Sequence, residues 1–150
     1  MIRIAKISDL EKILEFNKRL FEHERLFGDT YNLEWTYSER GMSYFRKRLT
    51  ENGGIVLIAE EGNEAVGYLC GFIDHYSFRL INPIAEIENM FVEENFRGKG
   101  IGSELVRKFD EVCRSKDVKR IRVGAICQNS GAVNFYRKNG FNDFEMYLEK

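Results

Sequence analysis

Val92-Glu93-Glu94-Asn95-Phe96-Arg97-Gly98-Lys99-Gly100-Ile101-Gly102 is the stretch whose geometry decides how the rest of the chain is arranged. A strand-like run ends where it begins. An amphipathic helix starts near Gly100, with Ile101, Leu105, Phe109 and Val112 on one face and Val106 and Cys113 beside them. Glycines at 98, 100 and 102 permit a tight turn and leave the backbone amides unshielded. The helix's first turn offers unpaired N–H groups and the positive end of its dipole, and Arg97 and Lys99 add charge beside them. Such a turn is a cradle for a pyrophosphate. It is not a nucleotide-triphosphate P-loop, because Lys99 is followed by Gly100 instead of Ser or Thr. Nor does Gly98-x-Gly100-x-Gly102 have the phase of a dinucleotide-binding turn. A plain strand-to-helix turn with a solvated basic pair would leave three glycines without a purpose.

Working outward, residues 84–92 read as the strand entering the turn. Ile121, Val123, Ala125 and Cys127 alternate as the strand leaving the helix. A short helix over 129–139 is stopped by Gly140, and residues 141–148 read as a final strand. Upstream, residues 2–7 alternate as a strand, and Ser8 and Glu11 stand in capping-box relation before a helix over 9–23. Residues 24–37 carry Phe27, Tyr31, Trp35 and Tyr37 in a loop or irregular helix, and a second helix covers 39–51. Residues 55–60 and the alternating Val66, Tyr68, Cys70 and Phe72 form a hairpin about the turn 61–64. The order β-α-α-β-β-β-α-β-α-β predicts an α/β fold: one mixed sheet flanked by helices, in a single domain over 1–150.

The composition agrees. A chain of 150 residues with 43% apolar and 31% charged side chains can bury a sizeable core. Its net charge of -1 gives no global attraction to nucleic acid or to an anionic membrane. The basic run Lys116, Lys119, Arg120 and Arg122 is interrupted by Asp117, with Asp110 and Glu111 close by, and reads as a solvated surface. No stretch of about 20 apolar residues is present, and the expected location is the cytoplasm. Cys70, Cys113 and Cys127 have neither disulfide-framework nor zinc spacing, so no metal is expected and all three are expected as buried apolar side chains.

Arg97-Gly98-Lys99-Gly100-Ile101-Gly102 resembles the acyl-coenzyme A pyrophosphate loop of the GCN5-related N-acetyltransferase superfamily. Asn129-Ser130-Gly131-Ala132-Val133-Asn134-Phe135-Tyr136-Arg137-Lys138-Asn139-Gly140-Phe141 resembles that superfamily's later asparagine-to-tyrosine segment. The likeness is specific over residues 84–142 and topological over residues 1–80. It implies a splayed sheet with a wedge between the strands at 84–92 and 119–127. It also implies acetyl-coenzyme A as co-substrate, its pantetheine arm paired with the backbone of Met90, Phe91 and Val92, and its thioester carbonyl polarised by the Met90 N–H. By the same resemblance Asn129 touches the pantetheine or the water network beside it, and Tyr136 faces the coenzyme sulfur. A phenol of pKa about 10 is a weaker acid than a thiol of about 8.5, so Tyr136 serves better as a hydrogen-bond donor to the leaving thiolate than as its acid.

Alternation puts Glu86, Glu88 and Met90 on one strand face and Ala85, Ile87, Asn89 and Phe91 on the other. Two carboxylates on an apolar strand are costly unless that face meets a wet cleft. An amine acceptor at neutral pH is an ammonium ion and must lose a proton before it attacks. Either glutamate can hold it or take that proton. Position relative to the glycine loop matches Glu86 to the base of histone-modifying members. The local sequence of Glu88 resembles the polyamine-modifying members, which favours Glu88 as base with Glu86 assisting. An acetyl-cysteine route through Cys127 is disfavoured because no histidine lies near it in sequence.

Glu22, Glu24, Asp29, Glu34 and Glu39 make the segment after the first helix acidic, diluted by Lys18, Arg19 and Arg25. With the strand glutamates this suits a small cationic amine such as a polyamine, an amino acid or an aminoglycoside. A protein N-terminus or lysine, or a domain that binds acyl-coenzyme A without turnover, are the alternatives. The resemblance further implies a homodimer paired through the C-terminal region, where Phe141, Phe144, Met146, Tyr147 and Leu148 supply apolar surface.

Overall fold

In the computed structural model, which describes residues 1–150, five strands pair in chain order into one sheet. They are β1 (Ile2–Ile4), β2 (Gly54–Glu61), β3 (Glu64–Asp74), β4 (Ile84–Val92) and β5 (Arg120–Val123). The first four run antiparallel, and β5 joins β4 in parallel. A parallel neighbour requires a crossover, which is helix α3 (Ile101–Ser115) after the glycine-rich turn. Helices α1 (Leu10–Glu24) and α2 (Glu39–Thr50) precede the hairpin, and α4 (Ser130–Lys138) follows β5.

Both faces of the sheet are covered. On one face the apolar stripe of α3, with Leu105 and Phe109 fully buried, packs on Leu57, Leu69 and Ile87. On the other, Ile13 and Phe16 of α1 and Phe45 of α2 pack on Val56, Ile58, Tyr68 and Phe91. This explains why residues 55–59 are continuously apolar: β2 is buried on both faces and every side chain needs an apolar neighbour. Ser38 caps α2 by accepting from the Gly41 N–H at 3.2 Å.

Four expectations are corrected. The Ser8–Glu11 capping box does not form. The Asp9 carboxylate instead accepts the Lys6 N–H at 2.7 Å and both terminal nitrogens of Arg3, after a 3-10 turn over Ile7–Asp9. Cys70 and Cys113 are buried but Cys127 is exposed, because β5 ends at Val123 and the residues beyond it leave the sheet. Residues 141–148 form no strand. Their side chains Phe144, Met146, Tyr147 and Leu148 are 63–86% exposed, so no covered face holds the segment in register with the sheet. The fourth, the phase of β4, belongs to the site.

No helix is long and apolar enough to cross a membrane, and no group of three or more His, Cys, Asp and Glu side chains is placed to hold a metal ion.

Candidate active site

Strand β4 is bulged. Cys70 pairs with Asn89 and Gly71 with Ile87, so Glu88 has no partner on β3. The extra residue shifts the alternation. Ala85 and Ile87 face α3, but beyond the bulge Phe91 packs in the α1/α2 core and Met90 and Val92 turn toward α3. Met90 therefore does not share a face with Glu88, and Asn89 and Phe91 do not share one with Ile87. Past Ile87 and Val123 the pairing of β4 with β5 ceases and the strands part. The splay opens a cavity of about 830 Å³. Glu86 to Val92 line one wall, Val123 to Ile126 another, and the glycine-rich turn closes one end.

The turn is built for close approach. Gly98 and Gly100 have φ of +75° and +89°, left-handed values that a side chain strains to adopt, and a Cβ on either would project into open space. Gly100 begins α3 without any side-chain cap, which leaves the first amides of the helix facing the cavity end. Gly102 is needed for packing: a Cβ there would stand 3.1 Å from the Phe135 ring, so its absence lets α3 and α4 meet. The Arg97 Nε donates to the Val92 carbonyl at 2.8 Å, with its guanidinium over Phe91, and Lys99 lies over Phe96.

Each β4 glutamate has a guanidinium partner that the sequence pattern did not reveal. Glu88 accepts Arg48 Nε at 2.6 Å and the Tyr44 hydroxyl at 2.7 Å on Oε2, and Arg48 Nη2 at 2.8 Å on Oε1. Three of its roughly four acceptor positions are thus filled. Glu86 accepts Arg122 through Oε2 at 2.9 Å, and Arg122 also donates to the Tyr76 hydroxyl. Behind Glu88 a buried chain of hydrogen bonds runs into the core. The Asn89 amide donates to the Tyr44 oxygen, Asn17 donates to Asn89 and Tyr68, and the Thr36 hydroxyl donates to Asn17. Burial pushes the Tyr44 and Tyr68 phenols far above their ordinary range, so both stay protonated, Tyr44 donating to Glu88 and Tyr68 accepting from Asn17.

The opposite side of the cavity is formed by the end of α1, the following loop and α4. Asn129 caps α4, its Oδ1 accepting the Ala132 N–H at 3.0 Å. Its amide nitrogen donates to Glu24 Oε1 at 3.1 Å. Tyr136 lies two turns along the same helix and lines the cavity with Tyr31, His23 and Glu24. Burial raises the Tyr136 phenol above its usual range, and the charge of Glu24 and the nearby Tyr31 add to the shift. Burial also raises the Glu24 carboxyl, against the opposing bond from Asn129. Of the aromatics at 24–37, Tyr31 stacks on Phe21 and faces the cavity. Trp35 packs edge-on against Tyr44 and Phe45. The structure thus brings Glu86, Glu88, Met90, Phe91, Val92, Arg97, Gly98, Gly100, Ile101, Gly102, Asn129 and Tyr136 around one cavity, with Lys99 exposed on the loop beside it.

An open mixed sheet, a bulged fourth strand and a glycine-rich turn at the head of α3 are the fold of an acetyltransferase. An aminoglycoside acetyltransferase from an uncultured soil metagenomic sample shares it, at a TM-score of 0.75 and 24% identity over 100% of this chain and 93% of that one. The sequence pattern of the acetyltransferase (GNAT) family matches residues 13–141, and the chain belongs to that family. Its relatives include an uncharacterized N-acetyltransferase of Methanocaldococcus jannaschii, 28% identical over 97% of this chain and 62% of that protein. A thialysine N-epsilon-acetyltransferase of Bos taurus is 27% identical over 95% of this chain and 84% of that protein. The chain thus spans less than two thirds of the first relative's length and most of the second's.

Proposed function

We propose that this chain transfers the acetyl group of acetyl-coenzyme A directly to a primary amine of a small cationic acceptor. The observation that carries the proposal is the cavity: a glycine-rich turn with uncapped amides at one end, a strand bulge along its wall, and phenols and carboxylates at the other end. Gly98, Gly100 and the uncapped amides of α3, with Arg97 and Lys99 beside them, fit the coenzyme pyrophosphate. The backbone of Met90, Phe91 and Val92 fits the pantetheine arm, and the Met90 N–H is assigned to the thioester carbonyl oxygen, where negative charge develops. Asn129 contacts the pantetheine from the α4 side.

Tyr136 is assigned to the departing sulfur. A phenol raised above its ordinary range is a poorer acid than the thiol it would create, so it stabilises the thiolate by donating a hydrogen bond. Glu88 and Glu86 lie on the acceptor wall. The sequence favours Glu88 as the base. With Arg48 compensating its charge and one acceptor position left, it is better suited to orient the acceptor's N–H groups. Glu86, tied to Arg122, does the same further along.

A small cationic acceptor suits a cavity lined by Glu24, Glu86 and Glu88 and walled by Tyr31 and Tyr136. The thialysine and aminoglycoside acetyltransferases among its relatives point the same way. A homodimer is also proposed. The outer edge of β5 has no strand partner, and Phe144, Met146, Tyr147 and Leu148 stand exposed beyond α4. The activity is tested by following free thiol release from acetyl-coenzyme A with spermidine, spermine, putrescine, lysine, aminoglycosides and short peptides. Thiol and acetylated amine formed in equal amounts are the expected result. Coenzyme binding without thiol release for any amine would favour a domain that binds acyl-coenzyme A without turnover.

A further inference from the structure

Three carboxylates line the cavity, and they are not equivalent. Glu86 is paired with Arg122 and Glu88 with Arg48, so each carries a compensating guanidinium. Glu24, at the last position of α1, forms no salt bridge and is held only by the neutral amide of Asn129. That single bond leaves Oε2 and the rest of Oε1 unoccupied. It also fixes Glu24 to the residue that caps the helix bearing Tyr136, coupling residues 105 positions apart in the chain. The titratable groups that share the cavity with it are His23 on its own helix, Tyr31 from the loop, Glu86 and Glu88 from β4, Arg97 from the glycine-rich turn, Tyr136 and Lys138 from α4, and Tyr147 from the C-terminal segment.

We propose that Glu24 is the catalytic base: it holds the ammonium group of the acceptor between Tyr31 and Tyr136 and takes its proton. This rests on the acetyl-transfer reading of the same cavity. The ammonium gives one proton to the Glu24 carboxylate, leaving a neutral amine and a carboxylic acid. The nitrogen lone pair then forms the C–N bond at the thioester carbonyl, and the C–S bond breaks with its electron pair on sulfur. The second nitrogen proton passes to the thiolate, giving amide and free thiol, and Glu24 returns its proton to water. An alkylammonium is a much weaker acid than a carboxylic acid, so the first transfer is uphill. Burial raises the Glu24 carboxyl and narrows that gap, and a half-buried site with aromatic walls lowers the ammonium side of it. A carboxylate already neutralised by arginine offers a cationic acceptor no comparable attraction.

The test is Glu24→Gln, which retains an oxygen for the Asn129 amide and removes the charge. With spermidine and lysine as probes, kcat/KM for the amine should fall roughly 100-fold, and the acidic limb of the pH–rate profile should disappear. The dissociation constant for coenzyme A, measured by calorimetry, should stay within about twofold of the unmodified protein, a change of about 0.4 kcal/mol. His23→Gln should keep the acidic limb, which separates the two neighbouring groups. Glu24→Asp keeps the charge with a shorter reach and should retain the limb at reduced kcat. If Glu24→Gln turns over the amine as fast as the unmodified protein with an unchanged limb, or Glu24→Asp loses the limb, Glu24 is not the base. Silence of the unmodified protein with every amine overturns the acetyl-transfer reading and this proposal with it. A working enzyme indifferent to Glu24→Gln overturns only the proposal.

Discussion

The two halves of the cavity are made in different ways. The half formed by β4, the glycine-rich turn and α3 is continuous in sequence, from Ile84 to Ser115, and offers mainly backbone: a bulge, two left-handed glycines and an uncapped helix start. The acceptor half is assembled from side chains of α1, the 25–38 loop and α4, with Glu86 and Glu88 reaching in from β4, and is held by contacts such as Glu24 to Asn129 and, from α2 behind the wall, Tyr44 to Glu88. A group shared by every donor substrate can be held by backbone geometry, which local sequence encodes. An acceptor that differs among relatives is held by side chains whose proximity only the fold creates.

The largest effect that would sharpen this contrast comes from the turn. Gly100→Val adds left-handed strain and a branched side chain where a phosphate is to sit. It should weaken coenzyme A binding about 100-fold or more, close to 3 kcal/mol, with a much smaller change in amine affinity read by calorimetry. Equal weakening of both ligands would break the division of labour. Tyr136→Phe should lower kcat roughly 100-fold at unchanged coenzyme affinity, the lower end of the range for removing one donor to a developing charge.

A third test addresses the acceptor half. Arg48→Met leaves Glu88 with only the Tyr44 hydroxyl, and should cost about 2 kcal/mol of stability by urea denaturation, because the pair is largely shielded from water. Combined with Glu88→Gln the losses should fall short of additive, since both variants disrupt one pair. Strict additivity would mean that Glu88 is not anchored by α2.

The smallest effect concerns Glu24 in the free protein. A carboxyl raised by folding contributes stability that is fully present below its unfolded pKa and is lost as pH rises through its folded value. Glu24→Gln should therefore raise the thermal midpoint at neutral pH by about 1 to 3 °C, kept small by half exposure. The gain should vanish below the ordinary carboxyl value of 4.5. A lower midpoint at neutral pH would mean that the charged form is stabilised where it lies.

The same contrast explains what could be read from the chain. The spacing of Gly98, Gly100 and Gly102 before an apolar stripe fixed the turn and α3, and Asn129 ahead of Tyr136 fixed α4. Each is a local pattern with one physical meaning. The bulge at Glu88 was not legible, because strict alternation across 84–92 looks the same with or without an extra residue, and it reversed the facing of Met90, Asn89 and Phe91. Arg48 gave no signal, being one of several cations on a helix whose register against β4 comes only from packing. Glu24 was visible only as one member of a diffuse acidic segment, and what distinguishes it is a partner 105 residues away. The final strand expected over 141–148 did not form, because no neighbouring strand or covered face supports it.

The most direct measurement is a crystal structure of the protein with coenzyme A and spermidine. The pyrophosphate should lie on the amides of residues 98–102 and the pantetheine between β4 and β5. The sulfur should stand within hydrogen-bond reach of the Tyr136 hydroxyl, and an amine nitrogen should lie against Glu24. Coenzyme A bound away from the splay, or with its sulfur turned from Tyr136, would contradict the assignment of this cavity to acetyl transfer.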